Sequence, residues 1–291
     1  MPEGRLRFVP ASSVSLEEYA DAFTASFSGY FFPMKLDTAL LARKVRVEQH
    51  DLSHSLVAYI GEEAVGVAAL AVRGETGWVG GFGVVPLERK RGRGRELMSA
   101  LLDEARACRL KRLSLEVLTQ NTAARRLYEG AGMRVARELF ILARTVDESV
   151  ADGDESASVV KKSSSVEANG SLKEAAPTEL LAHFARLHAE PPAWQRDLPS
   201  MLVGRSRGFY LGERTRPRAY ALMSEALDGN TYLSDLAASD ADAARELCDA
   251  LLPSAGALKI VNEPERSLFI APLRAYGFTE TARQHEMVLE L

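Results

Sequence analysis

Gly80-Gly-Phe-Gly-Val-Val-Pro-Leu-Glu-Arg-Lys-Arg-Gly-Arg-Gly94 is the stretch on which the reading of this chain turns. Residues Trp78 to Val85 predict a strand that breaks at Pro86. A strongly basic loop follows and enters a helix near Gly94. Within it, Arg89-x-x-Gly92-x-Gly94 sets two glycines where the backbone takes a positive φ or comes close to another group. The N–H groups of the first helical turn point into the loop, and the helix dipole favours an anion there. Five cationic side chains (Arg89, Lys90, Arg91, Arg93 and Arg95) surround that point. This chemistry suits a pyrophosphate. Two common nucleotide loops are excluded: Arg95-Glu96 stand where a Walker loop needs Lys-Ser or Lys-Thr, and Leu97 where the dinucleotide fingerprint needs its third glycine. A solvated basic turn is the alternative reading of this loop by itself.

The totals narrow the class. At 291 residues, 46% hydrophobic and 26% charged, the chain can bury ordinary cores and is long enough for two domains. A net charge of −4 points to neither nucleic acid nor an anionic membrane as partner. That charge is uneven: residues 1–146 hold 21 Lys+Arg against 17 Asp+Glu, and residues 147–291 hold 15 against 23. Much of the positive excess lies in the Arg89–Arg95 loop, which suggests a local anion site. Two cysteines, Cys108 and Cys248, predict reduced thiols in a cytoplasmic protein rather than a disulfide framework. No signal peptide or membrane span is expected. The five histidines lack metal-ligand spacing, so no metal is expected.

Taken in order, the first part reads β-α-α-β-β-β-α-β-α-β. A strand at Leu6–Val9 precedes a helix from the capping box Ser15-Leu-Glu-Glu18 to Phe27, and Asp37 caps a second helix to Val47. Three strands joined by short turns occupy Ser55–Ile60, Ala64–Val72 and Trp78–Val85. A helix to Cys108, a strand at Leu113–Leu118, a helix capped by Asn121 and a strand at Met133–Arg144 complete it. Residues 146–178 are polar and low in large apolar residues, and read as a flexible linker. Residues 179–291 retrace the order, with a helix at Leu180–Leu187, strands at Phe209–Gly212, Arg218–Ser224 and Thr231–Ala237 (the last two joined at Asp228-Gly-Asn), and helices at Asp240–Leu252 and Glu263–Tyr276. Where the first copy has its glycine loop, the second has the acidic Ala238-Ser-Asp-Ala-Asp242.

A second signal lies at Leu115-Glu116-Val117-x-x-x-Asn121-x-x-Ala124-x-x-Leu127-Tyr128-x-x-x-Gly132-Met133. Together with Arg89-x-x-Gly92-x-Gly94, it closely resembles the GNAT superfamily of acetyl-CoA-dependent N-acetyltransferases. One departure in the first copy is Met133, where Phe is usual after the glycine. The resemblance covers residues 5–145, and 179–291 resemble the same fold with the cofactor motif eroded. It implies an α/β protein of two tandem GNAT-like domains, each a mixed, mostly antiparallel central sheet flanked by helices. Residues 1–145 are then the catalytic domain, 146–178 the linker and 179–291 a degenerate copy.

The resemblance also implies roles. The strand ending at Val84 and Val85 splays from Leu115–Leu118, so that the pantetheine arm of acetyl-CoA pairs with its backbone. The glycines at 80, 81 and 83 fit a bulge or a close approach. Amides from Arg91 to Arg95 hold the pyrophosphate, the loop cations Arg89, Lys90, Arg91, Arg93 and Arg95 face its phosphates or solvent, and Asn121 contacts the arm. Tyr128 is the acid for the departing thiolate. Glu116, alternating with Leu115 and Val117, is a candidate base that accepts the amine proton, and Glu75 is a weaker one. Phe27, Tyr30, Phe31, Phe32 and Met34 wall the acceptor pocket or cover an interface. The expected acceptor is an amine of a small molecule or protein, and a homodimer stays open. A layout like that of mycothiol synthase makes an amino-sugar or thiol precursor one alternative, and a non-catalytic acyl-CoA sensor is another.

Overall fold

The computed structural model describes residues 4–32, 34–145, 172–225 and 229–291. The predicted linker over 146–171, Pro33 of the aromatic connection and Asp228 of the predicted turn lie outside them. The chain divides into two compact units, one drawn from Met1–Glu138 with Gln284–Leu291, the other Leu139–Arg283.

The first unit runs β1 (Arg7–Pro10), α1 (Leu16–Ser26), α2 (Thr38–Glu48), β2 (Leu56–Ile60), β3 (Glu63–Arg73), β4 (Thr76–Val84), α3 (Arg93–Ala107), β5 (Arg112–Leu118), α4 (Thr122–Gly130) and the start of β6 (Arg134–Arg144). The predicted caps are made. Ser15 Oγ accepts from Glu18 N–H at 3.0 Å, Asp37 Oδ1 from Leu40 N–H at 2.8 Å and Asn121 Oδ1 from Ala124 N–H at 3.2 Å. The capping box at Ser15 is only half formed, because the Glu18 carboxylate instead accepts from Tyr59 Oη at 2.6 Å.

Sheet neighbours in this unit are β1-β2-β3-β4-β5, then the end of β12 (Thr279–Glu290), all antiparallel except β4–β5. Two cores cover the two faces. One packs Leu97, Met98 and Leu101 of α3 and Tyr128 of α4 on Leu113, Leu115 and Val117. The other packs Tyr19 and Phe23 of α1 and Leu41 of α2 on Val57, Val67 and Ala69.

The second unit continues β6 and runs β7 (Lys173–Ala175), α5 (Pro177–Leu181), α6 (Phe184–Leu187), α7 (Leu198–Val203), β8 (Arg207–Glu213), β9 (Arg216–Glu225), β10 (Thr231–Ala238), α8 (Ala241–Leu251), β11 (Leu258–Pro264), α9 (Ile270–Ala275) and the start of β12. Its order is β6-β11-β10-β9-β8-β7, with β10–β11 the parallel pair.

The structure departs from the sequence reading in four places. Residues Lys173–Ala175, assigned to the linker, form a strand on β8. The helix expected at Leu180–Leu187 is broken into α5 and α6, and α7 was not foreseen. The helix expected from Glu263 starts only at Ile270, because Asn262 takes φ 58° and Glu263 is drawn to buried Arg196, so that β11 runs on through Pro264. Finally, the units are not the contiguous segments 1–145 and 179–291. Gln284–Glu290 pair with β5 and put Met287 into the first core, while Leu139–Arg144 pair with β11 and put Phe140 and Leu142 into the second. An alternating strand satisfies either sheet equally well, so its local pattern does not name its neighbour.

Candidate active site

Strands β4 and β5 pair only at Thr76–Arg112, Gly77–Leu113 and Trp78–Ser114. Beyond Trp78 they part. A bulge at Gly80 breaks the β3–β4 register, between Ala69–Gly81 and Leu70–Val79. The glycines here admit the chain's own side chains: a Cβ at Gly80 would lie 2.4 Å from the Trp78 ring, and one at Gly81 would lie 2.2 Å from the Phe23 ring of α1. The Val85 N–H donates to Val65 O at 2.9 Å, which fixes the alternation. Phe82 and the Val84 N–H therefore face the gap, as an added extended segment requires.

Several residues expected to hold a cofactor are committed elsewhere. Val85 has both backbone groups in use, its carbonyl accepting from Glu88 N–H at 3.0 Å. The Val84 carbonyl accepts from Arg89 Nε at 2.9 Å. The Arg89 Nη2 also donates to Ser26 O at 3.2 Å and Ser28 O at 2.8 Å, which places a cation at the C-terminus of α1. Arg93 is buried, with Gly4 O at 2.8 Å and carboxylates of Glu88 and Glu96 around it. Arg89 and Arg93 therefore brace the loop. Arg91 is exposed and 3.6 Å from Glu88. The Lys90 and Arg95 side chains are exposed and make no ion pair or hydrogen bond among the described residues.

The loop has the backbone its glycines predict. Gly92, the N-cap of α3, sits at φ 83° and ψ −11°, and a Cβ at Gly94 would lie 3.3 Å from Leu127 of α4. The Gly92 carbonyl accepts from Arg95 N–H at 2.9 Å and Glu96 N–H at 3.2 Å. Those amides are used, so an anion is left the first-turn amides of Arg93 and Gly94, which have no intrahelical acceptor.

Tyr128 lies two turns after Asn121 on α4 and is buried, its ring edge-on to Phe82 with centroids 5.9 Å apart. Burial first, and then the neighbouring Tyr30, push its hydroxyl well above the usual phenol range, so it remains a proton donor. Tyr30, read from sequence only as pocket wall, is half-buried. Burial raises its hydroxyl too, partly offset by a hydrogen bond with the Asn121 side chain. Its ring continues a ladder from Phe23 through Phe27, with centroid separations of 4.9 and 5.4 Å. Only the folded α1–α2 connection brings Tyr30 to Tyr128. Phe31 and Phe32 remain exposed.

Glu116 faces away from Leu115 and Val117, as the strand alternation requires, and its Oε2 accepts from Trp78 Nε1–H at 2.7 Å. Trp78 stands edge-on to buried His50, with Lys44 over its ring. The residue opposite Glu116 on β12 is Glu286, which Arg137 holds at 2.7 and 3.2 Å. No signal in the first copy's sequence announces Glu286 or Arg137 as neighbours of Glu116. Glu75 is a turn residue, exposed and paired with Lys111 at 2.7 Å, and takes no part in this site.

The second unit repeats the splay, with β10 and β11 paired only at Tyr232–Lys259. The N-terminus of α8 is already occupied: Asp240 Oδ1 accepts from Ala243 N–H at 2.8 Å, a bond that holds this carboxyl below its usual range.

The sequence profile of the acetyltransferase (GNAT) family matches residues 16–133. No curated protein sequence matches the chain significantly. Among solved structures, a GCN5-related N-acetyltransferase from Sphaerobacter thermophilus is similar over 100% of this chain and 96% of its own, with TM-score 0.70 and 16% identity. A tandem GNAT protein from the clavulanic acid biosynthesis pathway is similar over 98% of each chain, with TM-score 0.66 and 18% identity. A putative acetyltransferase from Pyrococcus horikoshii covers 100% of this chain and 90% of its own, with TM-score 0.64 and 14% identity. At such identities the structural likeness speaks for the fold, and the profile match over the splayed strands and glycine loop speaks for the family. Residues 16–133 match the GNAT acetyltransferase family, and the chain as a whole shares the fold of a tandem GNAT protein.

Proposed function

We propose that the first unit transfers an acetyl group from acetyl-CoA to a primary amine of a small molecule or protein. The observation that carries this reading is the gap opened where β4–β5 pairing stops at Trp78–Ser114, ending at the amides of Arg93 and Gly94. The residues fit the donor: Phe82 and the Val84 N–H match the amides of a pantetheine arm, and first-turn amides with Lys90 and Arg95 match its phosphates. When bound, acetyl-CoA supplies the thioester carbon that the amine attacks.

The two faces of the sheet carry different proton chemistry. On the α1–α2 face, Glu116 accepts the proton that an alkylammonium, with pKa of about 10, must lose. The Trp78 N–H fixes which way its carboxylate points. On the α3–α4 face, Tyr128 donates its hydroxyl proton to the departing sulfur. Its burial suits the task, since a hydroxyl that stays protonated remains a donor. Transfer through the gap joins the two. The second unit, its helix terminus filled by Asp240, plays no part in holding the donor.

Thiol release from acetyl-CoA across a panel of amines tests this, comparing wild type with Tyr128→Phe and Glu116→Gln. Turnover on at least one amine, lowered about a hundredfold or more in kcat by each change, is expected. Tight binding of acetyl-CoA with no turnover on any amine would replace this reading with an acyl-CoA sensor.

A further inference from the structure

Asp51, His54 and Cys108 come together away from the site described above. Their candidate ligand atoms lie within 4.8 Å of one another, among half-buried side chains. Asp51 and His54 sit in the turn between α2 and β2, and Cys108 is the C-cap of α3. The turn is firmly held. Asp51 N–H donates to Leu70 O at 2.7 Å, Asp51 O accepts from Ser55 Oγ at 2.7 Å, and Asp51 Oδ1 accepts from Ser53 N–H at 2.9 Å. That leaves Asp51 Oδ2 to meet His54 Nδ1, 2.8 Å away.

We propose that this trio binds a single divalent zinc ion through one carboxylate oxygen, one imidazole nitrogen and one thiolate. The donor set suits zinc, a borderline-soft ion bound by Cys, His and Asp in tetrahedral sites. Zinc–ligand bonds of about 2.0 to 2.3 Å place tetrahedral ligands about 3.3 to 3.7 Å apart. Seating the ion therefore opens the Asp51–His54 contact by about half an ångström and draws Cys108 in. The Asp51 and His54 side chains are 31% and 34% exposed, so the ion has a path from solvent and water completes the fourth position. Three protein–metal bonds form in place of hydration waters of the ion, one water stays as the fourth ligand, and the Cys108 thiol proton is released to solvent. No electron is transferred.

The site stands apart from the proposed acetyl transfer. It lies at the C-terminal end of α3, a helix of 15 residues, and the proposed phosphate-binding amides are at the other end, about 20 Å away at roughly 1.5 Å per residue. It joins the α2–β2 turn on one face of the sheet to α3 on the other. His54 and Cys108 are far apart in sequence, so no spacing motif announces them.

The test is Co2+ titration of the reduced full-length chain, read by absorption, followed by Zn2+ competition against a chromophoric chelator. One Co2+ per chain with a thiolate-to-metal band is expected, lost in Cys108→Ser and kept in Cys248→Ser. His54→Ala and Asp51→Asn should each weaken zinc affinity at least tenfold, and zinc should raise the melting temperature of wild type but not of Cys108→Ser. No thiolate band in wild type, a band that survives Cys108→Ser, or unchanged affinity in both His54→Ala and Asp51→Asn would each overturn the proposal. Melting curves recorded without metal separate a lost ligand from a misfolded variant.

Discussion

The basic loop divides its labour, and the division can be measured. Arg89→Ala removes three hydrogen bonds, to the carbonyls of Val84, Ser26 and Ser28 at 2.9, 3.2 and 2.8 Å. A hydrogen bond to a charged group contributes about 1.5 to 3 kcal/mol when buried, but Arg89 is exposed, so screening leaves a total of about 1 to 2 kcal/mol. That corresponds to a fall in melting temperature of about 3 to 6 °C. The pair Lys90→Ala and Arg95→Ala, by contrast, touches no intrachain partner and should leave the melting temperature within about a degree. If each of these cations contributes about 0.5 to 1 kcal/mol to a bound phosphate, their joint loss weakens acetyl-CoA affinity about tenfold. Melting curves and titration calorimetry on both variants form the assay, with calorimetry repeated at raised salt, where the wild-type advantage should shrink. If Arg89→Ala leaves stability untouched while cutting affinity as far as the double variant does, Arg89 is a phosphate ligand and the bracing role is refuted.

Three further outcomes follow from the same geometry. Gly81→Ala drives a methyl to within 2.2 Å of the Phe23 ring and should destabilise by about 1 to 3 kcal/mol through overpacking, whereas Gly92→Ala meets open space and loses only about 1 to 2 kcal/mol to its positive φ; denaturant midpoints would distinguish them. Because burial lifts the Tyr128 hydroxyl above its unfolded value of 10.0, the stability it lends is complete below pH 10 and is lost as pH rises beyond it. Tyr128→Phe should therefore flatten the fall in melting temperature above pH 10, on the order of one group's ionisation. His50 is the acid-side counterpart: burial first lowers it from 6.5, so its contribution is present above that pH and lost as pH falls below it. His50→Phe should lessen the acid loss of stability, and an unchanged acid limb would show that His50 does not report there.

Much of the first unit was legible in order. Ser15, Asp37 and Asn121 cap the helices they were read to cap, because a side chain bonding to an amide three residues on is local chemistry. Gly92 takes the positive φ its place in the loop demanded. Glu116 faces opposite to its apolar neighbours by strand alternation alone.

Residue type and spacing therefore determined most elements of the first unit, its helix caps and the positive φ at the start of α3, all of which rest on contacts within a few residues. Only the tertiary structure decided who meets whom across distance. It tied Arg89 to carbonyls of β4 and the end of α1, buried Arg93 as a second brace, brought Tyr30 beside Tyr128, and set Trp78 on Glu116. It also decided that Gln284–Glu290 close the first sheet and Leu139–Arg144 the second. A guanidinium or an alternating strand carries the same local signature wherever it docks, and its partner is chosen by the free energy of the whole packed arrangement.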